Sequence, residues 1–228
     1  MDLTMPRKTK RFAANQKKPR ANLPAAFSSL TASERKILAG LNTPVKIQNF
    51  LDSLKMNFSD SDPCFSVRQV LQKRSAHCFE GALLAAGALW YNGKKPILLD
   101  LTTTNNDEDH VVVLFKVGEF WGALSKTNHA VLRYREPVYK TVRELVMSYF
   151  HEYFLNSTGQ KTLRTYSAQP FNLANYAKLN WLTSQEGIME IIQAMADAPH
   201  IEILNKQQIK NLRLADSIEI KAGKIVEW

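Results

Sequence analysis

Apolar positions along the chain change period partway through, and the change separates helical from extended segments. Thr31-Ala-Ser-Glu34 has capping-box spacing and predicts a short helix that stops at Gly40. Thr43-Pro44 places a cap and a first-turn proline ahead of Val45–Leu54, where Val45, Ile47, Phe50, Leu51 and Leu54 share one face. Asp60–Pro63 has turn chemistry, and Ser66 caps a further predicted helix over Val67–Gln72. Cys78–Tyr91 is almost continuously apolar. Its length and its alanine content predict a buried helix, closed by Asn92-Gly93.

Shorter blocks follow. Ile97–Leu101 reads as a strand and Thr102–Asp109 as a polar loop. His110–Lys116 and Phe120–Leu124 flank Gly118-Glu119 as a hairpin, and Ala130–Tyr134 is expected to add a third strand. Val142–Phe154 returns to helical spacing, with Leu145, Val146, Tyr149, Phe150 and Tyr153 on one side. Two further helices are predicted near Gln185–Ala196 and Gln207–Leu214, then a terminal hairpin turning at Ala222-Gly223. The order predicts an α+β fold, in which the helix that begins at Cys78 packs on an antiparallel sheet with other helices around it.

Composition narrows the class. At 228 residues, 45% hydrophobic and 22% charged, the chain suits one globular domain with a sizeable core. No apolar run of about 18 residues predicts a membrane span, and the basic start lacks the apolar segment of a secretory signal. Cys64 and Cys78 cannot build a disulfide framework, and no Cys/His pattern has zinc spacing. The missing signal and the sparse cysteines lead to the expectation of a cytoplasmic chain without metal, and with no glycine-rich phosphate loop no cofactor is expected. Seven basic residues against Asp2 in the first twenty carry most of the net charge of +9. Residues 1–30 are therefore expected to be a basic disordered arm, and residues 31–228 the folded domain with a C-terminal helical and hairpin extension. The arm, through residues 7–20, can touch nucleic acid weakly by sequence-blind electrostatics, or act only as a solvated tail.

Candidate chemistry lies at the start of the apolar helix. Cys78 follows the polar stretch Arg74-Ser75-Ala76-His77, which puts its thiol in a first helical turn. There the macrodipole and free N–H groups favour a thiolate, and the same N–H groups can receive an oxyanion. The competing reading is an inert buried thiol, the commoner fate of a free cysteine. His110 opens a strand whose next residues, Val111–Phe115, are all apolar. A strand buried on both faces can aim an imidazole from its loop end at a helix N-terminus, where it would accept a thiol proton. The competing reading is a capping or surface histidine.

The order Arg74-x-x-x-Cys78 on an alanine-rich helix, a hydrophobic strand, His110 and then Trp121 resembles the transglutaminase-like, papain-related superfamily over residues 66–135. Trp121–Tyr139 and Met147–Phe154 resemble a bacterial branch of it, which supplies no substrate. The resemblance implies a helix-borne cysteine nucleophile, a strand-borne histidine and an aspartate four residues after the tryptophan. It implies cofactor-free hydrolysis or acyl transfer on a peptide, amide or thioester. Here the aspartate position is Ser125, which can accept a hydrogen bond from imidazole but brings no charge. Asn128 is an equal candidate for orienting the ring, as asparagine does in papain-like enzymes, and Asp100 is a third. Two functions follow: a cysteine hydrolase or acyltransferase, or a catalytically weakened fold that binds in its cleft, with nucleic-acid association through the arm.

Overall fold

The computed structural model describes residues 23–59 and 64–227; the basic stretch 7–20 and the expected turn 60–63 lie outside the described residues. Three helices, α1 (Ala32–Gly40), α2 (Pro44–Asp52) and α3 (Val67–Lys73), begin at the expected caps. The side chains of Thr31, Thr43 and Ser66 accept from Glu34, Lys46 and Gln69 N–H groups. They surround α4 (Cys78–Tyr91), which is buried from Phe79 to Leu89. Short strands β1 (Lys55–Met56) and β2 (Ser75–Ala76) pair in parallel just before α4.

An antiparallel sheet follows from β3 (Ile97–Thr102), β4 (His110–Val117), β5 (Phe120–Leu124), β6 (Arg135–Tyr139), β7 (Thr165–Ser167), β8 (Phe171–Asn172) and β9 (His200–Glu202). Its order is β6-β5-β4-β3-β7-β9, with β8 also on β3. Period-2 alternation sends Val111, Val113 and Phe115 of β4 into the core around α4. Val112 and Leu114 face the opposite core, with Leu145, Val146 and Tyr149 of α5 (Val142–Phe150). Coverage on both faces explains why β4 is apolar throughout, and it holds His110 at a fixed place on the sheet. Three more helices complete an α+β fold: α6 (Ile188–Ala196), α7 (Lys206–Lys210) and α8 (Ser217–Gly223). Among the described residues no helix is long and apolar enough to cross a membrane.

Four segments differ from expectation. The terminal hairpin is helix α8 instead, opened by a capping box between Asp216 and Glu219. The third strand is displaced from Ala130–Tyr134 to Arg135–Tyr139, because the chain before it pairs instead with the C-terminal segment, Ala130 N–H to Ile225 O. The aromatic helix stops at Phe150 rather than Phe154, although Tyr153 stays buried. The fourth is the arm boundary at residue 30: Phe27 and Leu30 are 1% and 2% exposed. Phe27 packs on Trp90 and Tyr91 of α4, with ring centroids 4.9 and 5.2 Å away. Residues 23–30 therefore belong to the folded unit. Phe27→Ala should lose about 3–5 kcal/mol in denaturant unfolding; a change below about 0.5 kcal/mol would show that these rings are not what anchors the segment.

Candidate active site

The N-terminus of α4 opens into a cleft of about 650 Å³ whose lining includes Cys78, His110, Lys126, Asn128 and the loop Asp107–Asp109. His77 caps the helix with its ring: Nδ1 accepts the Phe79 N–H at 3.2 Å, and Glu80 reaches back to the His77 N–H at 2.8 Å. Cys78 is thus the first helical residue, as its sequence position implied.

His110 is the first residue of β4, paired with Leu101 of β3 and 5% exposed. Its Nε2 lies 2.7 Å from Ser125 Oγ, and that hydroxyl donates to the Leu132 carbonyl at 2.6 Å. A hydroxyl has one proton to give, and Leu132 receives it, so the ring must be the donor in the first contact. His110 is therefore the Nε2–H tautomer, and Nδ1 keeps its lone pair.

Ser125 is itself held by a residue that the sequence did not single out. The Gln48 amide, on α2, accepts from Ser125 N–H at 3.0 Å and donates to Ser125 O at 2.8 Å. It substitutes for a missing strand neighbour just past the end of β5. Leu132 is fixed as well. Its φ of 60° is left-handed, unusual for a branched side chain, and its N–H is bound to Glu152 at 2.8 Å. Glu152 in turn pairs with Arg135, which lies 4.0 Å over the Tyr149 ring.

Gly81, one turn along α4 from Cys78, brings this segment close. A Cβ at that position would fall 2.4 Å from Lys126 Cβ, so only glycine admits the Lys126 stem. The ammonium of Lys126 passes behind the helix to the Leu54 carbonyl at 2.8 Å, and burial lowers its pKa.

The other two candidates for orienting His110 are elsewhere. Asp100 faces His200, Oδ2 to Nε2 3.2 Å, and burial pushes its carboxyl pKa upward. Asn128 lines the cleft at 9% exposure, and among the described residues its side chain makes no hydrogen bond.

Burial decides the protonation states. It drives His110 down to about 4, with His129 adding a smaller repulsion. It drives the Cys78 thiol up to about 11, outweighing the Val111 and Phe79 N–H groups that favour thiolate, while Glu108 pushes in the same direction as burial. The expected lowering of the thiol pKa is thus reversed. Cys78 keeps some contact with the cleft, yet its sulfur sits deep among protein atoms. No hydrogen bond joins the Cys78 sulfur to the His110 ring among the described residues. The resting pair is neutral thiol and neutral imidazole.

A second group of metal-ligating types lies behind the cap: Cys64 Sγ is 3.7 Å from His77 Nε2, and Glu80 Oε1 is 3.5 Å from the same nitrogen. Since Nδ1 accepts from Phe79, the ring proton resides on Nε2. A metal ion there would force that proton onto Nδ1, against the Phe79 N–H. Glu80 also accepts from Phe65 N–H and from Asn57, so the group is better described as a buried helix cap. The spacing His77-x-x-Glu80 signalled it in the sequence.

The depressed pKa of His110 has a stability consequence. Neutral histidine is favoured in the fold, so its contribution is full above about pH 6.5 and is lost as pH falls through about 4. The loss should be on the order of 3 kcal/mol. His110→Gln, which keeps an N–H for Ser125 and does not titrate, should flatten that part of the stability–pH curve. Parallel curves for the two proteins would contradict the buried neutral ring.

No protein-family model matches the chain, and no curated protein is detectably similar to it in sequence.

Proposed function

We propose that the chain is a cofactor-free thiol enzyme of the transglutaminase-like type, acting on an amide, ester or thioester. One observation carries the reading: Ser125, held between Leu132 and His110, leaves Nδ1 of a buried neutral imidazole as a base in the cleft that contains Cys78. In this mechanism Nδ1 takes the Cys78 proton as the sulfur attacks the substrate carbonyl carbon. The oxyanion is received by N–H groups around the first turn of α4. Collapse of the tetrahedral intermediate breaks the bond to the leaving group, which takes the proton from Nδ1. The resulting thioester passes its acyl group to water or to an amine, with Nδ1 again accepting a proton.

Neutral resting partners make proton transfer concerted with attack, because a standing ion pair between groups at about 11 and about 4 is unfavourable. Serine adds no charge to offset the imidazolium, so turnover is expected to be slow. The same two facts favour the second reading, a cleft that binds without turnover. Salt-sensitive contact of residues 7–20 with nucleic acid is a separate proposal that rests on their charge alone.

Iodoacetamide alkylation of Cys78 in a Cys64→Ser background separates the readings. With His110 as base, His110→Ala should slow alkylation near neutral pH by about 10-fold or more, and Ser125→Ala by about 10-fold. Ser125→Asp should not accelerate it, because a buried carboxylate would face the Leu132 carbonyl, acceptor against acceptor. A rate unaffected by His110→Ala would remove the general base and leave the binding reading.

A further inference from the structure

We infer that the cleft selects substrates carrying a positive charge beside the reacting carbonyl, with the Asp107–Asp109 wall facing the cation and Asn128 hydrogen-bonding an adjacent peptide-type amide. The inference rests on the thiol-enzyme reading above and specifies its substrate class. Three consecutive carboxylates, Asp107, Glu108 and Asp109, border the cleft that holds Cys78. None forms an ion pair among the described residues.

Most of the net charge of +9 lies in residues 1–20, so this run of acids without ion-pair partners makes the mouth of the Cys78 cleft locally negative. On the facing wall the Lys126 ammonium is turned away to Leu54 and only 3% of that residue is exposed, which leaves His110 and His129 as the other basic side chains lining the cleft. The loop is also pre-set. Asp109 accepts the Thr103 N–H at 2.7 Å, Asp107 accepts from Thr162 and from the Glu108 N–H, and Tyr153 donates to the Glu108 carbonyl at 2.9 Å. The Glu108 carboxylate has no partner of its own among the described residues, and its charge is felt at both Cys78 and His77.

Asn128 provides the independent observation. A residue more than nine-tenths buried ordinarily satisfies its side-chain donors and acceptor within the protein, whereas the amide atoms of Asn128 keep their access to solvent through the cleft. Here it lines the cleft with its side chain uncommitted, although its own carbonyl is bound to Glu227 N–H. An amide carries a donor and an acceptor together, which matches a peptide group. The acid wall suits an organic cation better than a metal ion, because the three carboxylates do not bring their oxygens within ligating distance of one another.

Charge-selective labelling tests this without requiring turnover. In the Cys64→Ser protein, Cys78 is modified with methanethiosulfonates bearing trimethylammonioethyl, methyl or sulfonatoethyl groups. The cation-to-anion rate ratio should exceed that of a small free thiol by about 10-fold at low ionic strength and collapse in about 1 M salt. Glu108→Lys, an exposed change, should lower the ratio by about 3-fold or more. A ratio no higher than that of the free thiol, or one unchanged by Glu108→Lys, overturns the charge selection. The neutral methyl reagent reports reactivity of the thiol alone, so that failure is distinct from failure of Cys78 as a nucleophile. A lysine-containing peptidyl chloromethyl ketone should label Asn128→Ala about 10-fold more slowly than the parent, while the methyl reagent reacts equally with both. Equal slowing of both reagents, or of neither, removes Asn128 from substrate recognition.

Discussion

The Ser125 hydroxyl is bounded by two groups that would each take its proton, and it can satisfy only one of them. Leu132 presents a carbonyl, which can only accept; His110 presents a ring nitrogen, which can do either. The hydroxyl therefore donates to Leu132, and the imidazole is forced into one tautomer. Three distant features keep this arrangement in place: the Gln48 amide on the Ser125 backbone, the left-handed turn at Leu132 tied to Glu152, and the absence of a side chain at Gly81. A buried hydrogen bond contributes about 1 kcal/mol net but costs about 1–3 kcal/mol when one partner is left alone. The relay is thus worth more as a constraint on the ring than as a source of stability. It also suits serine at this position, since an ionised aspartate would set acceptor against acceptor at the Leu132 carbonyl.

The helix that carries the nucleophile works against its ionisation. Placement in a first turn favours a thiolate by about 0.3–2 kcal/mol, whereas full burial can shift a pKa by about 3–5 units, several kcal/mol. At Cys78 the second effect wins, because α4 is enclosed by three helices and the sheet. Reactivity then depends on a base arriving with the right lone pair rather than on a thiolate held in advance. That dependence makes the His110 tautomer matter more here than in a site with a preformed ion pair.

Features written in local sequence were legible. The caps at Thr31, Thr43 and Ser66, the span Cys78–Tyr91, and the two-faced burial of β4 each follow from residues within a few positions of one another. Ser125 is singled out by the transglutaminase-like resemblance, which implies an aspartate four residues after Trp121. What was not legible is non-local. Gln48 reads as one polar residue on an amphipathic helix until β5 ends beside it. The thiol pKa depends on how completely other elements enclose α4, and the role of Asn128 depends on where Ala130–Tyr134 is diverted. Ala222-Gly223 has turn chemistry and predicts a terminal hairpin, but the Asp216/Glu219 capping box upstream favours a helix and the helix forms. The charge of its neighbours predicts an arm at Phe27, but the aromatic surface of α4 that this ring covers draws the segment into the fold.

The most direct test of the account is the protonation pattern of the His110 ring, read from ¹⁵N-histidine NMR of the intact protein near neutral pH, with His110→Gln identifying the resonances. The expected result is a neutral ring with a proton on Nε2, correlated to a hydrogen-bonded N–H, and a bare Nδ1 that stays bare as the pH is lowered toward about 5. A ring protonated on Nδ1, or an imidazolium paired with a Cys78 thiolate at neutral pH, would contradict it.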